Sequence, residues 1–293
     1  MERLEESIVR LVKASLEEDI GSGDLTSLAC LEPNPIEAVI VAKSAGILSG
    51  LKPTSLVFNM VDSATVIHPR LKDGDRFSAG DTIIEIKGFN QTILAAERTA
   101  LNFLAHLSGV ATLTSRFVDK VRGTGCRILD TRKTTPGWRL LEKEAVVHGG
   151  GGNHRFGLYD MILIKDNHIA AAGSVKEAVT KAKEYLGSDE FGLQFPSNAE
   201  DIEIEVEVTS NQQLTEAIEA GASRLLLDNQ TLESLRQLVS LARQLNPDVK
   251  LESSGNVSLD NVAAIAATGV DFISIGALTH SAPASDFSLR VTQ

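Results

Sequence analysis

Apolar and polar positions change rhythm twice along the chain. The opening segment MERLEESIVRLVKASLEED sets Leu4, Ile8, Leu11, Val12 and Leu16 at helical spacing among charges, which predicts an amphipathic surface helix. Short apolar runs follow, AVIVAKSAGILSG and ATVIHPRLKDGDRFSAGDTIIEIKG, broken at Asp73-Gly74 and Ala79-Gly80, and these predict short antiparallel strands. From Thr92 to about Val121 the spacing turns helical, with one interruption expected at Ser108-Gly109, and this segment is expected to span the junction between two domains.

From Cys126 onward a short apolar strand, a polar loop and an amphipathic helix recur. The predicted strands are CRILD, MILIK, IEIEVEV, RLLLD, VKLES and FISIG, and SVKEAVTKAKEYL, NQQLTEAIEA and LESLRQLVSLARQL are predicted helices. Alternation of this kind implies parallel pairing through right-handed crossovers, in a barrel or an open doubly wound sheet. No Gly-x-Gly-x-x-Gly fingerprint follows the first strand, which favours the barrel.

At 293 residues the chain can build one large α/β domain and a smaller partner without staples. Cys30 and Cys126 are its two cysteines, too few for a disulfide framework and what a reducing compartment permits, so a cytoplasmic location is expected. The first segment lacks the apolar core of a signal peptide, and no run is long enough to cross a bilayer. Twenty-eight Lys and Arg against 39 Asp and Glu give a formal charge of −11, so neither nucleic acid nor membrane is an expected partner. An anionic substrate must then be held by a local positive cluster working against an acidic background.

In a parallel barrel the active site forms at the carboxyl ends of the strands. Those ends read Asp130-Thr131-Arg132-Lys133, Lys165-Asp166-Asn167-His168, Glu207, Asp228-Asn229, Ser253-Ser254-Gly255-Asn256 and Gly276. One or two such positions would be ordinary caps or turn formers, the better reading for Asn229 or Ser253 alone; a full ring of them points to a site. In IEIEVEV, Ile202, Ile204, Val206 and Val208 share one face and Glu203, Glu205 and Glu207 the other. Helices cover the outside of a parallel barrel, so the glutamates are expected to point inward. Glu207 and Asp228 can then meet over the barrel mouth, where carboxylates hold Mg²⁺ together with substrate phosphates.

Positive groups come from other units: Arg132 and Lys133, His154 and Arg155 after the run Gly149 to Gly152, and Lys165. Arg matches planar carboxylates bidentately and Lys acts as a point charge for phosphates, so the set suits a substrate carrying both. The glycine run reads either as a loop that bends sharply or approaches a ligand closely, or as a flexible linker. The last two strands end in Ser254-Gly255-Asn256 and Ser274-Ile275-Gly276, small residues at the position where late barrel loops bind phosphate.

At these residues the chain closely resembles quinolinate phosphoribosyltransferase, over nearly its whole length. The markers, in order, are EEDIGSGDLTS, AERTALNFLAHLSGVAT, DTRKTTPGWR, GGGGNHRFGLYDMILIKDNHI, EVEV, LLLDN, SSGN and SIGALTHSAPASDFSL. The resemblance implies an amino-terminal open-faced α+β sandwich, residues 1–115 completed by about 277–293, and an incomplete parallel α/β barrel over 116–276. It implies transfer of phosphoribose from phosphoribosyl pyrophosphate to quinolinate with decarboxylation, in de novo NAD biosynthesis, and a magnesium ion on Glu207 and Asp228. By the same resemblance Arg132 and Arg155, with His154 and Lys133 nearby, line the pyridine dicarboxylate pocket, and Arg98 enters from the neighbouring subunit of a homodimer, with assembly beyond the dimer left open. Lys133, Lys165, Glu207 and Asp228 are the expected catalytic set, while Ser254, Gly255, Asn256, Ser274 and Gly276 take the ribose 5-phosphate. Asn256 stands where many members carry a second glycine, and His148 precedes the glycine run where smaller residues or cysteine are common. The competing readings are a nicotinate phosphoribosyltransferase, a relative acting on another nitrogen heterocycle, and a catalytically silent binding protein on the same scaffold.

Overall fold

The structure is a computed structural model that describes residues 2–195 and 198–292. Two compact units divide the chain: residues 1–115, 133–151 and 277–293 in the first, and 116–132 and 152–276 in the second. The segment 133–151, read above as part of the barrel domain, thus clusters with the first unit.

The first unit carries a four-stranded antiparallel sheet in the order Phe287–Val291, Pro35–Ala42, Thr82–Phe89, Val66–Pro69. Alternate positions Ala38 and Ile40, and Ile84 and Ile86, are buried in its core, which is the period that a sheet with one covered face demands. The helix Asn90–Lys120 is continuous, where the sequence predicts a break. Ser108 and Gly109 serve contacts instead. The Ser108 hydroxyl donates to the Ser49 carbonyl and accepts the Ser49 N–H, both at 3.1 Å. A Cβ at Gly109 would lie 2.3 Å from the Pro283 carbonyl oxygen, so the residue marks a close approach within the unit.

The second unit is a six-stranded parallel sheet. Its strands, in chain order, are β1 (Arg127–Leu129), β2 (Ile162–Ile164), β3 (Ile204–Val208), β4 (Arg224–Asp228), β5 (Lys250–Ser254) and β6 (Phe272–Ser274). The spatial order β1-β6-β5-β4-β3-β2 sets the first strand beside the last and leaves β1 and β2 as the two edges. This is the arrangement of an incomplete α/β barrel. β3 begins two residues later than the alternation suggests, leaving Ile202 and Glu203 outside the ladder.

In-register pairing divides the strands into two faces. Glu205 lies opposite Arg224, Glu207 opposite Leu226, Asp228 opposite Ser254, and Ser254 opposite Ser274. The other parity holds Val206, Leu225, Leu227, Leu251 and Ile273, all fully buried, as expected where helices cover the sheet. Three of those helices start on a side-chain cap: Ser174, Ser210 and Thr231 accept the N–H groups of Glu177, Gln213 and Ser234. Among the described residues, no helix is long and apolar enough to cross a membrane.

Candidate active site

At the carboxyl end of the second unit's sheet, β3 and β4 bring Glu207 and Asp228 close enough for the Asp228 charge to oppose ionisation of Glu207. Burial is the larger influence; together they hold the Glu207 carboxyl above the usual range, against the pull of the Lys165 ammonium 3.8 Å away. Lys165 follows β2 and caps the helix Asp166–Ala172, where its backbone N–H donates to His168 Nδ1 at 3.0 Å. Asp228 is fixed from two sides. Ser254 Oγ donates to one carboxylate oxygen at 2.8 Å and Asn229 Nδ2 to the other at 2.7 Å. Ser274, next in the same row, is buried.

The loops after β4 and β5 close on each other. Asn229 and Asn256 both have φ of +51°, a left-handed conformation that asparagine tolerates better than most residues with a side chain. Asn256 therefore fills a glycine-type backbone position, and its amide donates to Asn229 Oδ1 at 3.2 Å. Gly255 lies between them at φ +92°, and a Cβ there would sit 2.1 Å from Asn229 Oδ1.

Arg132 and Arg155 add guanidinium groups to the Lys165 ammonium at this end. Burial, and next the neighbouring Arg132 guanidinium, make Arg155 hold its proton less firmly than an ordinary arginine. The Glu205 and Asp160 carboxylates act in the opposite sense, favouring the charged guanidinium. Arg155 Nη1 donates to the Met161 carbonyl at 3.2 Å, and the turn behind it is pinned by Asp160, which accepts the N–H groups of Phe156 and Gly157. His154 is turned inward: its side chain is 8% exposed and its Nε2 lies 3.0 Å from Glu205 and 3.5 Å from Glu252.

Beneath this end the sheet interior holds a second polar layer. Glu205 and Glu252 are buried, and Arg224 reaches both, Nε at 3.3 Å from Glu205 and a terminal nitrogen on Glu252. Its guanidinium lies 4.2 Å from the Phe272 ring centre. Burial, and next the Glu205 carboxylate, raise the Glu252 pKa. His154, Glu205 and Glu252 each bring one ligand-type atom within 4.8 Å of the others. Because Arg224 already contributes a fixed cation to both carboxylates, the set is an ion-pair network. The alternation in IEIEVEV signals Glu205; Arg224 and Glu252 share the inward parity of Asp228 and Ser254, a signal readable in RLLLD and VKLES but unused above.

Arg98 and Lys133 belong to the first unit. Arg98 is exposed on the helix Asn90–Lys120. The Lys133 carbonyl accepts the Thr279 hydroxyl at 2.7 Å, and the segment after it is anchored by Glu142, a fully buried acid that takes the Thr135 N–H and His106 Nε2. Packing within the protein accounts for glycines at both ends of the run. A Cβ at Gly149 would meet the Ala111 carbonyl oxygen at 2.4 Å and one at Gly152 the Arg127 guanidine at 2.6 Å, so these glycines let protein pack against protein. His148 Nδ1 lies 2.9 Å from Ser49 Oγ, a structural contact.

The family model of the quinolinate phosphoribosyl transferase C-terminal domain matches residues 110–290, and that of the N-terminal domain residues 24–108. The chain belongs to the quinolinate phosphoribosyl transferase family. Within it, the chain is 43% identical over 277 residues to a probable carboxylating nicotinate-nucleotide pyrophosphorylase of Bacillus subtilis, covering 94% of this chain and 90% of the relative. It is 40% identical over 275 residues to the corresponding protein of Archaeoglobus fulgidus, covering 92% and 99%. Among solved structures, the nicotinate-nucleotide pyrophosphorylase of Francisella tularensis superposes with a TM-score of 0.90 at 42% identity, over 98% of this chain and 96% of that one. A human nicotinic acid phosphoribosyltransferase shares the fold alone, at 13% identity and a TM-score of 0.61.

Proposed function

We propose that the chain is a quinolinate phosphoribosyltransferase, which joins quinolinate and phosphoribosyl pyrophosphate to give nicotinate mononucleotide, pyrophosphate and carbon dioxide in de novo NAD biosynthesis. The supporting observation is the division of one sheet end into two chemistries, a guanidinium pair at Arg132 and Arg155 and a carboxylate–ammonium set at Lys165, Glu207 and Asp228. The first suits a planar dicarboxylate, the second a ribose bearing pyrophosphate. The quinolinate nitrogen forms the new bond to the anomeric carbon as the carbon–oxygen bond to pyrophosphate breaks, and that bonding pair leaves with pyrophosphate. Positive charge develops on the ribose ring; Glu207 and Asp228 are assigned to stabilise it, while Lys165 and Lys133 are assigned to offset the departing anion. The alkylated pyridinium then accepts the electron pair of the carbon–carboxylate bond as carbon dioxide leaves, and the ring carbon takes up a proton. Ser254, Gly255, Asn256, Ser274 and Gly276 are assigned to the 5-phosphate.

Glu207 and Asp228 are hard oxygen donors whose set fits Mg²⁺, which when bound would neutralise charge on pyrophosphate. Both Asp228 oxygens already accept hydrogen bonds, which gives Glu207 the readier direct contact. We further assign the enzyme to the cytoplasm and to a homodimer in which Arg98 completes the neighbour's acid pocket. The deciding assay is pyrophosphate release with quinolinate or nicotinate as acceptor. Turnover with quinolinate alone is expected, and a preference for nicotinate would overturn the assignment. Excess chelator should abolish turnover and added Mg²⁺ or Mn²⁺ restore it; full activity in chelator would remove the metal.

A further inference from the structure

We infer that the buried quartet His154, Glu205, Arg224 and Glu252 sets the position of Arg155, and that His154 serves substrate recognition through that arginine, as a positioning residue. The inference rests on the proposed role of Arg155 in binding a substrate carboxylate.

His154 is held at three atoms by the protein itself. Its backbone N–H donates to Asp130 Oδ1 at 2.9 Å, from a fully buried aspartate just past β1. Its Nδ1 accepts the Arg155 N–H at 2.7 Å, which puts the ring proton on Nε2. Nε2 faces Glu205 at 3.0 Å and Glu252 at 3.5 Å. One ring nitrogen is therefore hydrogen-bonded to the backbone of the arginine in question, and the other faces the buried carboxylates.

The acids below are held in turn. Two buried carboxylates share one arginine, which touches each of them and is backed by Phe272, so Arg224 cannot shift without uncovering a charge. Taking such ions out of water is costly, and a hydrophobic filling of equal volume would often be as stable. What the ions supply here is placement: charges held at fixed positions, with Glu205 3.0 Å from His154 Nε2. Glu205 also acts on Arg155 at a distance, because its negative charge favours the guanidinium that burial and Arg132 disfavour. The layer thus fixes both where Arg155 sits and how readily it keeps its charge.

A double-mutant cycle on the full-length enzyme tests this, with Michaelis constants for both substrates measured in wild type, His154→Ala, Arg155→Ala and the double variant. His154→Ala should raise the constant for quinolinate roughly tenfold and leave that for phosphoribosyl pyrophosphate within about twofold. The double variant should be no worse for quinolinate than Arg155→Ala alone. Multiplying effects would mean that His154 touches substrate independently, and would overturn the inference while leaving Arg155 a binding residue. An Arg155→Ala variant with an unchanged quinolinate constant would instead refute the carboxylate role itself, and the inference with it. Should His154→Ala not fold, Glu252→Gln keeps the shape and removes the charge. Its effect on quinolinate should likewise vanish in the Arg155→Ala background, and persistence there would count against the inference.

Discussion

Glu207 keeps its proton more firmly than a free glutamate because it is partly buried and faces Asp228, and Lys165 offsets this only in part. A carboxyl whose folded-state pKa is raised stabilises the fold below the unfolded value of 4.5, and that contribution is lost as pH rises through the folded value. Glu207→Gln should therefore match wild type in melting temperature below about pH 4.5 and exceed it at neutral pH, measured in chelator. The gain should be on the order of 1–2 °C, since solvent screens a group this open. A deficit at neutral pH would show that the pull of Lys165 outweighs burial. The same variant should be nearly inactive, a trade of stability against function common at catalytic acids. At this scale the sequence is legible where period and chemistry coincide: IEIEVEV turns Glu205 and Glu207 inward by alternation alone. Arg224 has the same inward parity, but a charged residue opening a strand also looks like a solvated strand end, so its signal is ambiguous.

The long helix Asn90–Lys120 shows where local signals mislead about an element. Ser-Gly reads as a break because both residues weaken helices, yet the helix runs through them because their small size is used laterally, against Ser49 and Pro283. Gly109→Ala isolates the two effects. Alanine favours the helix by about 1 kcal/mol over glycine, but its methyl would overlap the Pro283 carbonyl at 2.3 Å. The overlap should win, lowering the melting temperature by roughly 2–5 °C in a thermal scan. A rise would mean that the Pro283 segment yields at little cost. The strands of the parallel sheet, by contrast, are legible to within two residues at each end, since each is a short apolar run between polar loops, and three of the covering helices open on Ser or Thr caps. The glycine run escapes such reading because close packing of its backbone against the Ala111 carbonyl and the Arg127 side chain leaves no periodic trace.

For the whole molecule, the proposed sharing of Arg98 between subunits gives a complementation test. Arg98→Ala and Lys165→Ala homodimers should each be nearly inactive. A mixed dimer has one site taking Lys165 from one variant and Arg98 from the other, and a second site lacking both. Random reassociation makes half of the dimers mixed, so co-refolding equal amounts should recover roughly a quarter of wild-type pyrophosphate release under two-fold symmetry. No recovery in demonstrated mixed dimers would mean that Arg98 serves its own chain. The order of the first unit's sheet also bears on how the molecule is made. Strand Pro35–Ala42 takes one neighbour, Phe287–Val291, from far along the chain. At about 5–20 residues per second, a ribosome delivers that neighbour on the order of tens of seconds after the strand it completes. For most of translation the nascent first unit exposes an unpaired β-edge, open to wrong partners, while the entire parallel sheet is synthesised in between.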